Sequence, residues 1–173
     1  ELGLSGTQTA FATLAEQIPD SEIDNPKWTN VQAAINGVLG DRLAADGNRL
    51  AISMRRIPTA ESSGKPANHL VLFIHGLCMS EAGWAGKAHE QLVSDLQNSG
   101  HQVEYLRYNS GKHISENGAA LSALLDQAVN KEGIGRISLV GHSMGGLIIR
   151  SALGHSSSTS WSSKVHSAVY LGS

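Results

Sequence analysis

The chain has 173 residues, of which 40% are hydrophobic and 16% are charged. This composition is typical of one folded domain or a part of one, and it excludes a disordered chain. The formal net charge of −2 argues against a surface for nucleic acids or anionic membranes that is built on bulk charge. One cysteine excludes an internal disulfide and a cysteine-based metal site.

Residues 1–49 are predicted to form helices, and we interpret them as an N-terminal helical extension. Pro19 ends a first apolar run, and a second run begins after Asn25-Pro26. The first stripe comprises Phe11, Leu14 and Ile18, and the second comprises Trp28, Val31, Ile35, Val38, Leu39 and Leu43.

From residue 50 onward, short apolar runs alternate with helical patterns. One predicted helix is capped by Ser80 and ends at Gly100, and another is capped by Ser115. Strands that are separated by helices of this length predict an α/β fold with a parallel sheet and helices on both faces. The predicted strands lie at 50–55, 70–74, 103–107, 137–141 and 168–172.

Residues 137–153, ISLVGHSMGGLIIRSAL, predict a strand, a sharp turn and a helix. In the G-x-S-x-G motif the serine, here Ser143, lies in a strained turn with positive φ, so that its hydroxyl projects above the sheet. Gly141 and Gly145 flank it because a Cβ at either position would collide where strand and helix cross. The alternative is a Gly-rich turn whose serine only caps the helix. The apolar strand before the motif and the Ile/Leu-rich helix after it favour a catalytic nucleophile.

A second motif, FIHGLC at 73–78, ends the predicted strand 70–74. In enzymes whose nucleophile lies in a G-x-S-x-G turn between strand and helix, one oxyanion N–H comes from the next residue and the other from the loop after an earlier strand. Here these residues would be Met144 and, as our choice in the loop, Leu77. Gly76 lets that loop turn sharply. We interpret Cys78 as a packing residue rather than a reactive thiol.

Two further parts of the sequence are weighed as candidate parts of the site. His142, directly before Ser143, is interpreted as packing beside the turn rather than transferring protons. Residues 108–113 follow a predicted strand at the rim where such sheets bind ligands, so they either line the substrate entrance or form a plain turn.

The segments LVLFIHGL and ISLVGHSMGGLIIRSAL together resemble the lipase and esterase branch of the α/β-hydrolase family, over residues 50–173. Residues 1–49 resemble the helical extension of some bacterial lipases and inositol-deacylase-like enzymes. The resemblance implies a mostly parallel, doubly wound sheet and a serine hydrolase that cleaves carboxylic esters through an acyl-enzyme on Ser143. It implies a lipid or other small-molecule ester as substrate, and no cofactor, metal or nucleic acid.

The family orders its triad as Ser, then Asp or Glu, then His. The thirty residues after Ser143 contain no Asp or Glu, and their only histidines, His155 and His166, are interpreted as surface or loop residues. We therefore expect the sheet to be truncated after 168–172, with an apolar face exposed there or covered by another chain. The triad acid and base are expected in a missing C-terminal portion or a second chain. An acyltransferase, a thioesterase or a non-catalytic fragment stays open.

A few features of the sequence bear on the cellular location of the protein. The sequence opens at Glu1, so a processed N-terminus stays open. No segment approaches the length of a membrane span. With no visible signal peptide and no disulfide pair, the cytoplasm is slightly favoured.

Overall fold

The computed structural model describes residues 26–59, 67–156 and 161–172. These ranges contain a five-stranded sheet of order β1-β3-β2-β4-β5, in which β1 is antiparallel to β3 and the other neighbours are parallel. The strands are β1 (Arg55–Pro58), β2 (His69–Ile74), β3 (Gln102–Arg107), β4 (Arg136–His142) and β5 (Val165–Leu171). The helices are α1 (Pro26–Ala45), α2 (Lys87–Asn98), α3 (Ile114–Glu132) and α4 (Met144–His155).

Four predicted strands, 70–74, 103–107, 137–141 and 168–172, are confirmed as β2, β3, β4 and β5. The α/β class and the mostly parallel sheet are confirmed with them. The first predicted helix, which carries Phe11, Leu14 and Ile18, lies outside the described residues.

The prediction of a strand at 50–55 is wrong, because β1 covers Arg55–Pro58. The physical reason is that Leu50 is held by α1 rather than by the sheet. Its side chain is buried in a cluster with Leu43 and Leu39, and its carbonyl accepts a hydrogen bond from Asn36 Nδ2 at 2.7 Å.

Three local predictions about helices also need correction. Ser80 caps only a single 3-10 turn, Glu81–Gly83, and α2 begins later, after Gly86 at a φ of 114°. Helix α3 begins at Ile114 rather than after Ser115, with the His113 N–H donating to Glu116. The stripe on α1 is narrower than predicted, since Val31 and Val38 are exposed.

The core occupies both faces of the sheet, which confirms the predicted placement of helices on both faces. Because side chains alternate along a strand, Leu70, Leu72 and Ile74 of β2 face one way and pack in a cluster with residues of α3 and α4. Val71 and Phe73 face the other way and pack with Val93 of α2 and Val103 of β3. A continuous apolar run is therefore what a central strand buried on both faces requires.

Helix α1 is joined to the segment before β1 by two buried side chains, Asn36 and Gln32, of which Gln32 Nε2 donates to the Leu50 carbonyl at 3.2 Å. Asn36 makes the larger set of bonds. Its Nδ2 group donates to the carbonyls of Gln32 and Leu50, and its Oδ1 atom accepts from the Ile52 N–H at 2.9 Å. Since Asn36 is fully buried, these bonds are shielded from water and hold α1 against the body of the domain.

We expect Asn36→Ala to lower the free energy of unfolding by about 1–3 kcal/mol, because the Ile52 N–H loses its partner and the Leu50 carbonyl keeps only the bond from Gln32. Urea unfolding of the complete protein measures this. Asn130→Ala is the matched control, since it makes the same change at an exposed position of α3 and is expected to cost less than about 0.5 kcal/mol. Equal losses in the two variants would contradict the assignment.

Candidate active site

Ser143 lies in the turn between β4 and α4, at a φ of 50° and a ψ of −122°. The predicted positive φ is thus confirmed, in a region that non-glycine residues rarely occupy because of steric strain. The serine precedes α4 at the N-cap position but makes no side-chain capping hydrogen bond. The alternative that Ser143 only caps the helix therefore finds no support in the structure.

The two flanking glycines allow strand and helix to cross at very short range. A Cβ at Gly141 would lie 2.6 Å from the Gly146 nitrogen, and a Cβ at Gly145 would lie 2.3 Å from the Ile74 carbonyl oxygen. Side-chain carbons do not approach backbone atoms this closely. The predicted reason for these glycines is confirmed, and the close crossing brings the start of α4 against the carboxyl end of β2.

The loop after β2 lies directly against the Ser143 turn. A Cβ at Gly76 would be 3.3 Å from Ser143 Cβ and 3.4 Å from His142 Nδ1. Within the described ranges, the N–H of the next residue, Leu77, forms no hydrogen bond, and its side chain is 51% exposed. Met144 is the first residue of α4, so its N–H has no acceptor within that helix.

The buried side chain of His75 supports the start of this loop. The ring is 1% exposed and stacks on Tyr108, with centroids 4.3 Å apart. Its Nδ1–H group donates to the Gly76 carbonyl at 2.9 Å, and the Tyr108 hydroxyl donates to the His75 carbonyl at 2.7 Å. Burial lowers the pKa of His75 and raises that of Tyr108. Both rings are therefore neutral at neutral pH and act as supports.

Residues 108–113 are more than a plain turn, because their buried part supports the loop after β2. Tyr108, Asn109 and Ser110 are buried, and Ser110 Oγ accepts from the Cys78 N–H at 3.0 Å. The sequence did not single out these side chains as supports. The only available signal was their position directly after a predicted strand, at the rim of the sheet.

An aromatic cluster beside the Ser143 turn was also missed by the sequence analysis. The ring of His142 meets Trp84 edge-on with centroids 6.2 Å apart, and Trp84 packs on Phe73 and His89. Since these residues come from four separate segments, no local pattern could have predicted the cluster. His142 packs beside the turn, as the sequence analysis interpreted it.

A charged pair, Glu81 and Arg107, lies near His75. Burial by itself would raise the pKa of Glu81, but the hydrogen bond from Arg107 and its positive charge lower that pKa overall. The carboxylate is therefore ionised and paired with Arg107 at neutral pH, and the lowered pKa makes it a weak general base.

The two histidines that follow Ser143 in the sequence are exposed and lie away from it. His155 ends α4, roughly 18 Å along a helix that begins at the Ser143 turn. His166 lies five residues before Leu171, the partner of His142 in the sheet, which is roughly 16 Å along β5. Their interpretation as surface histidines is confirmed.

Apolar side chains at the end of β5, beside α4, are exposed to solvent, which agrees with the expected apolar face at 168–172. Val169, Tyr170 and Leu171 are each more than 40% exposed. A depression of about 240 Å³ lies next to them, lined by Gly146, Leu147, Arg150 and Tyr170.

The part of the chain that the structure describes contains neither a metal-binding cluster nor a membrane-spanning helix. No group of three or more His, Cys, Asp or Glu side chains converges there in a way that could hold a metal ion. None of the helices in these ranges has the length and apolar character needed to cross a membrane.

Comparison with known proteins adds a family and a fold. The model of the family "Putative serine esterase (DUF676)" matches residues 64–171. No curated protein sequence is significantly similar to the chain. Among solved structures, the mature form of the Bacillus licheniformis lipase BlEst2 is 24% identical, with a TM-score of 0.50, and the Pyrococcus furiosus esterase Pf2001 is 17% identical, with a TM-score of 0.45.

The shared segment covers 68% of this chain and 45% of the Bacillus lipase, and 67% of this chain and 49% of the Pyrococcus esterase. The chain thus spans about half the length of these relatives. The likeness to the Bacillus lipase shows the predicted α/β-hydrolase fold, in the part that the two chains share.

The lowered pKa of His75 makes stability depend on pH. The unfolded chain binds a proton near pH 6.5 whereas the buried ring does so only at lower pH, so we expect the free energy of unfolding to fall as pH decreases from about 6.5 to 5. His69 and His89, whose pKa values burial also lowers, add to the decline.

In the variant His75→Phe the decline of the free energy of unfolding with falling pH should be shallower. Urea unfolding at several pH values measures it, with exposed His155→Phe as the control. An unchanged decline in His75→Phe would contradict this account.

Proposed function

The chain belongs to the putative serine esterase family, and on that premise we propose that it carries the nucleophile of a serine hydrolase that cleaves carboxylic esters through an acyl-enzyme on Ser143. The observation that carries the proposal is the backbone of Ser143, held at a φ of 50° without a capping bond. A strained serine beside a glycine loop fits a nucleophile, and a structural serine has no need of that strain.

In the proposed reaction, Ser143 Oγ attacks the ester carbonyl carbon while its proton passes to a general base. The carbonyl oxygen becomes an oxyanion, and the Leu77 and Met144 N–H groups bind it as donors. Loss of one such donor typically costs about 10²–10³-fold in turnover. The intermediate collapses by breaking the carbon–oxygen bond to the alcohol, which takes the proton from the base. Water then hydrolyses the acyl-enzyme by the same steps.

The triad acid and base are proposed to come from outside residues 1–173, in a further part of the chain or in a second chain. Two observations support this. No Asp or Glu follows Ser143 in these residues, and His155 and His166 lie far from it. Without a base the serine hydroxyl is a weak nucleophile, so residues 1–173 alone should acylate slowly.

We propose an apolar acyl ester as the substrate. The support is the aromatic cluster beside the nucleophile, in which Trp84 packs between Phe73 and His142. A surface formed by this aromatic cluster favours the burial of hydrocarbon rather than of charge. The nearby carboxylate of Glu81 is paired with Arg107, so it adds no unpaired negative charge beside the cluster.

Ser143→Ala in the complete protein is expected to lower turnover of a p-nitrophenyl ester by about 10³-fold or more, because the acyl-enzyme cannot form. Labelling by a fluorophosphonate should be lost in the same variant. Ser115→Ala, an exposed serine of α3, is the matched control and should keep both. Ester hydrolysis that survives Ser143→Ala at the normal rate would exclude this serine as the nucleophile.

A further inference from the structure

Helix α1 approaches the loop after β2 more closely than a side chain on the helix would permit. A Cβ at Gly37 would lie 2.2 Å from Cys78 Sγ and 2.8 Å from Cys78 Cα. Both distances are too short for real carbon contacts. The loop can keep its present position only while residue 37 has no side chain.

The contact continues along α1 onto residues 108–113. A Cβ at Gly40 would lie 1.8 Å from Asn109 Oδ1, and the Asn109 Nδ2 group donates to the Gly40 carbonyl at 2.7 Å. A Cβ at Gly111 would lie 2.1 Å from the Asn36 carbonyl oxygen. The glycines of α1 therefore touch both the loop after β2, which carries the proposed oxyanion donor, and residues 108–113, which support that loop.

Hydrogen bonds hold the loop after β2 at two points next to this contact. The Cys78 N–H donates to Ser110 Oγ at 3.0 Å, and Ser80 Oγ donates to Asn30 Oδ1 of α1 at 2.6 Å. Cys78 itself has a φ of 57°, which only a few per cent of non-glycine residues adopt. Such a conformation persists where the surroundings determine it, and here α1 and Ser110 supply those surroundings.

We infer that α1 is a positioning element for the oxyanion loop and that Gly37 is its positioning residue. The inference rests on the proposed function, in which Leu77, the neighbour of Cys78, donates its N–H to the oxyanion. Gly37 does not touch the substrate; it sets how near the helix lies to Cys78 and thereby where the Leu77 N–H stands. Small displacements of such donors weaken catalysis strongly, because they act over hydrogen-bond distances.

The purely structural alternative makes a different prediction. If α1 only covers the domain, a substitution at Gly37 changes the unfolding temperature and leaves kcat unchanged. Helix propensity alone would favour alanine over glycine within a helix, so any loss of kcat in Gly37→Ala reflects the contact with Cys78.

The experiment uses Gly37→Ala in the complete protein. We expect kcat for a p-nitrophenyl ester to fall about 10- to 100-fold while KM changes less than about threefold, since ground-state binding does not use the oxyanion donors. The rate of fluorophosphonate labelling should fall in parallel. Val38→Ala is the control, because Val38 is the next residue of α1, is 73% exposed and should keep both rates.

Cys78→Gly tests the contact itself. It removes Sγ and Cβ, two of the three atoms that a Cβ at residue 37 would meet, and glycine accepts a φ of 57°. The Cα of residue 78 still lies 2.8 Å from a Cβ at residue 37, so the rescue should be partial. In this background Gly37→Ala should lower kcat by a factor at least about threefold smaller than in the parent chain, which is the coupling expected of two residues in contact. An equal loss in both backgrounds would overturn the inference.

Asn30→Ala decides the matter if Gly37→Ala does not fold. Asn30 is exposed but its partner Ser80 is buried, so Asn30→Ala should lower the unfolding temperature modestly and leave the protein folded. In the folded variant kcat should fall about 3- to 10-fold, because the loop loses its bond to α1. Unchanged kcat and labelling in folded Gly37→Ala, or in Asn30→Ala where the former does not fold, would overturn the inference alone. Hydrolysis that survives Ser143→Ala would instead overturn the proposed function.

Discussion

The structure depends on the close crossing of β4 and α4 at the glycines that flank Ser143. Since Gly141 and Gly145 carry no Cβ, α4 can start within contact distance of the Ile74 carbonyl at the end of β2. That proximity forces the intervening residue, Ser143, into a turn with positive φ. It also places the serine beside the loop after β2, which is the arrangement that the proposed acyl transfer needs.

A second layer of contacts holds that loop in place. His75 stacks on Tyr108 at the start of the loop, and Ser110 of the same supporting segment accepts the Cys78 N–H. Helix α1 contacts the loop at Gly37, beside Cys78. Rigid support of this kind suits an oxyanion site, because preorganised donors need no rearrangement when charge develops. The proposed role of α1 is therefore to support the oxyanion loop.

Sequence patterns predicted the features that depend on neighbouring residues. The apolar run of β2 and the glycine frame around Ser143 follow from local sterics and burial, and both were confirmed. From the sequence, strand β1 was predicted at the wrong residues, because Leu50 is held by a hydrogen bond from Asn36, fourteen residues away. The supports at Ser110 and Gly37 could not be predicted either, since they arise only where segments distant in sequence are packed together.

In the proposed mechanism Ser143 attacks the ester while the Leu77 and Met144 amides bind the oxyanion. A crystal structure of the complete protein after reaction with an alkyl fluorophosphonate is the decisive test, because the adduct resembles the tetrahedral intermediate. We expect phosphorus bonded to Ser143 Oγ, with the phosphoryl oxygen about 3 Å from both amide nitrogens. A phosphoryl oxygen directed away from both amides, or phosphorus on a different residue, would contradict this mechanism.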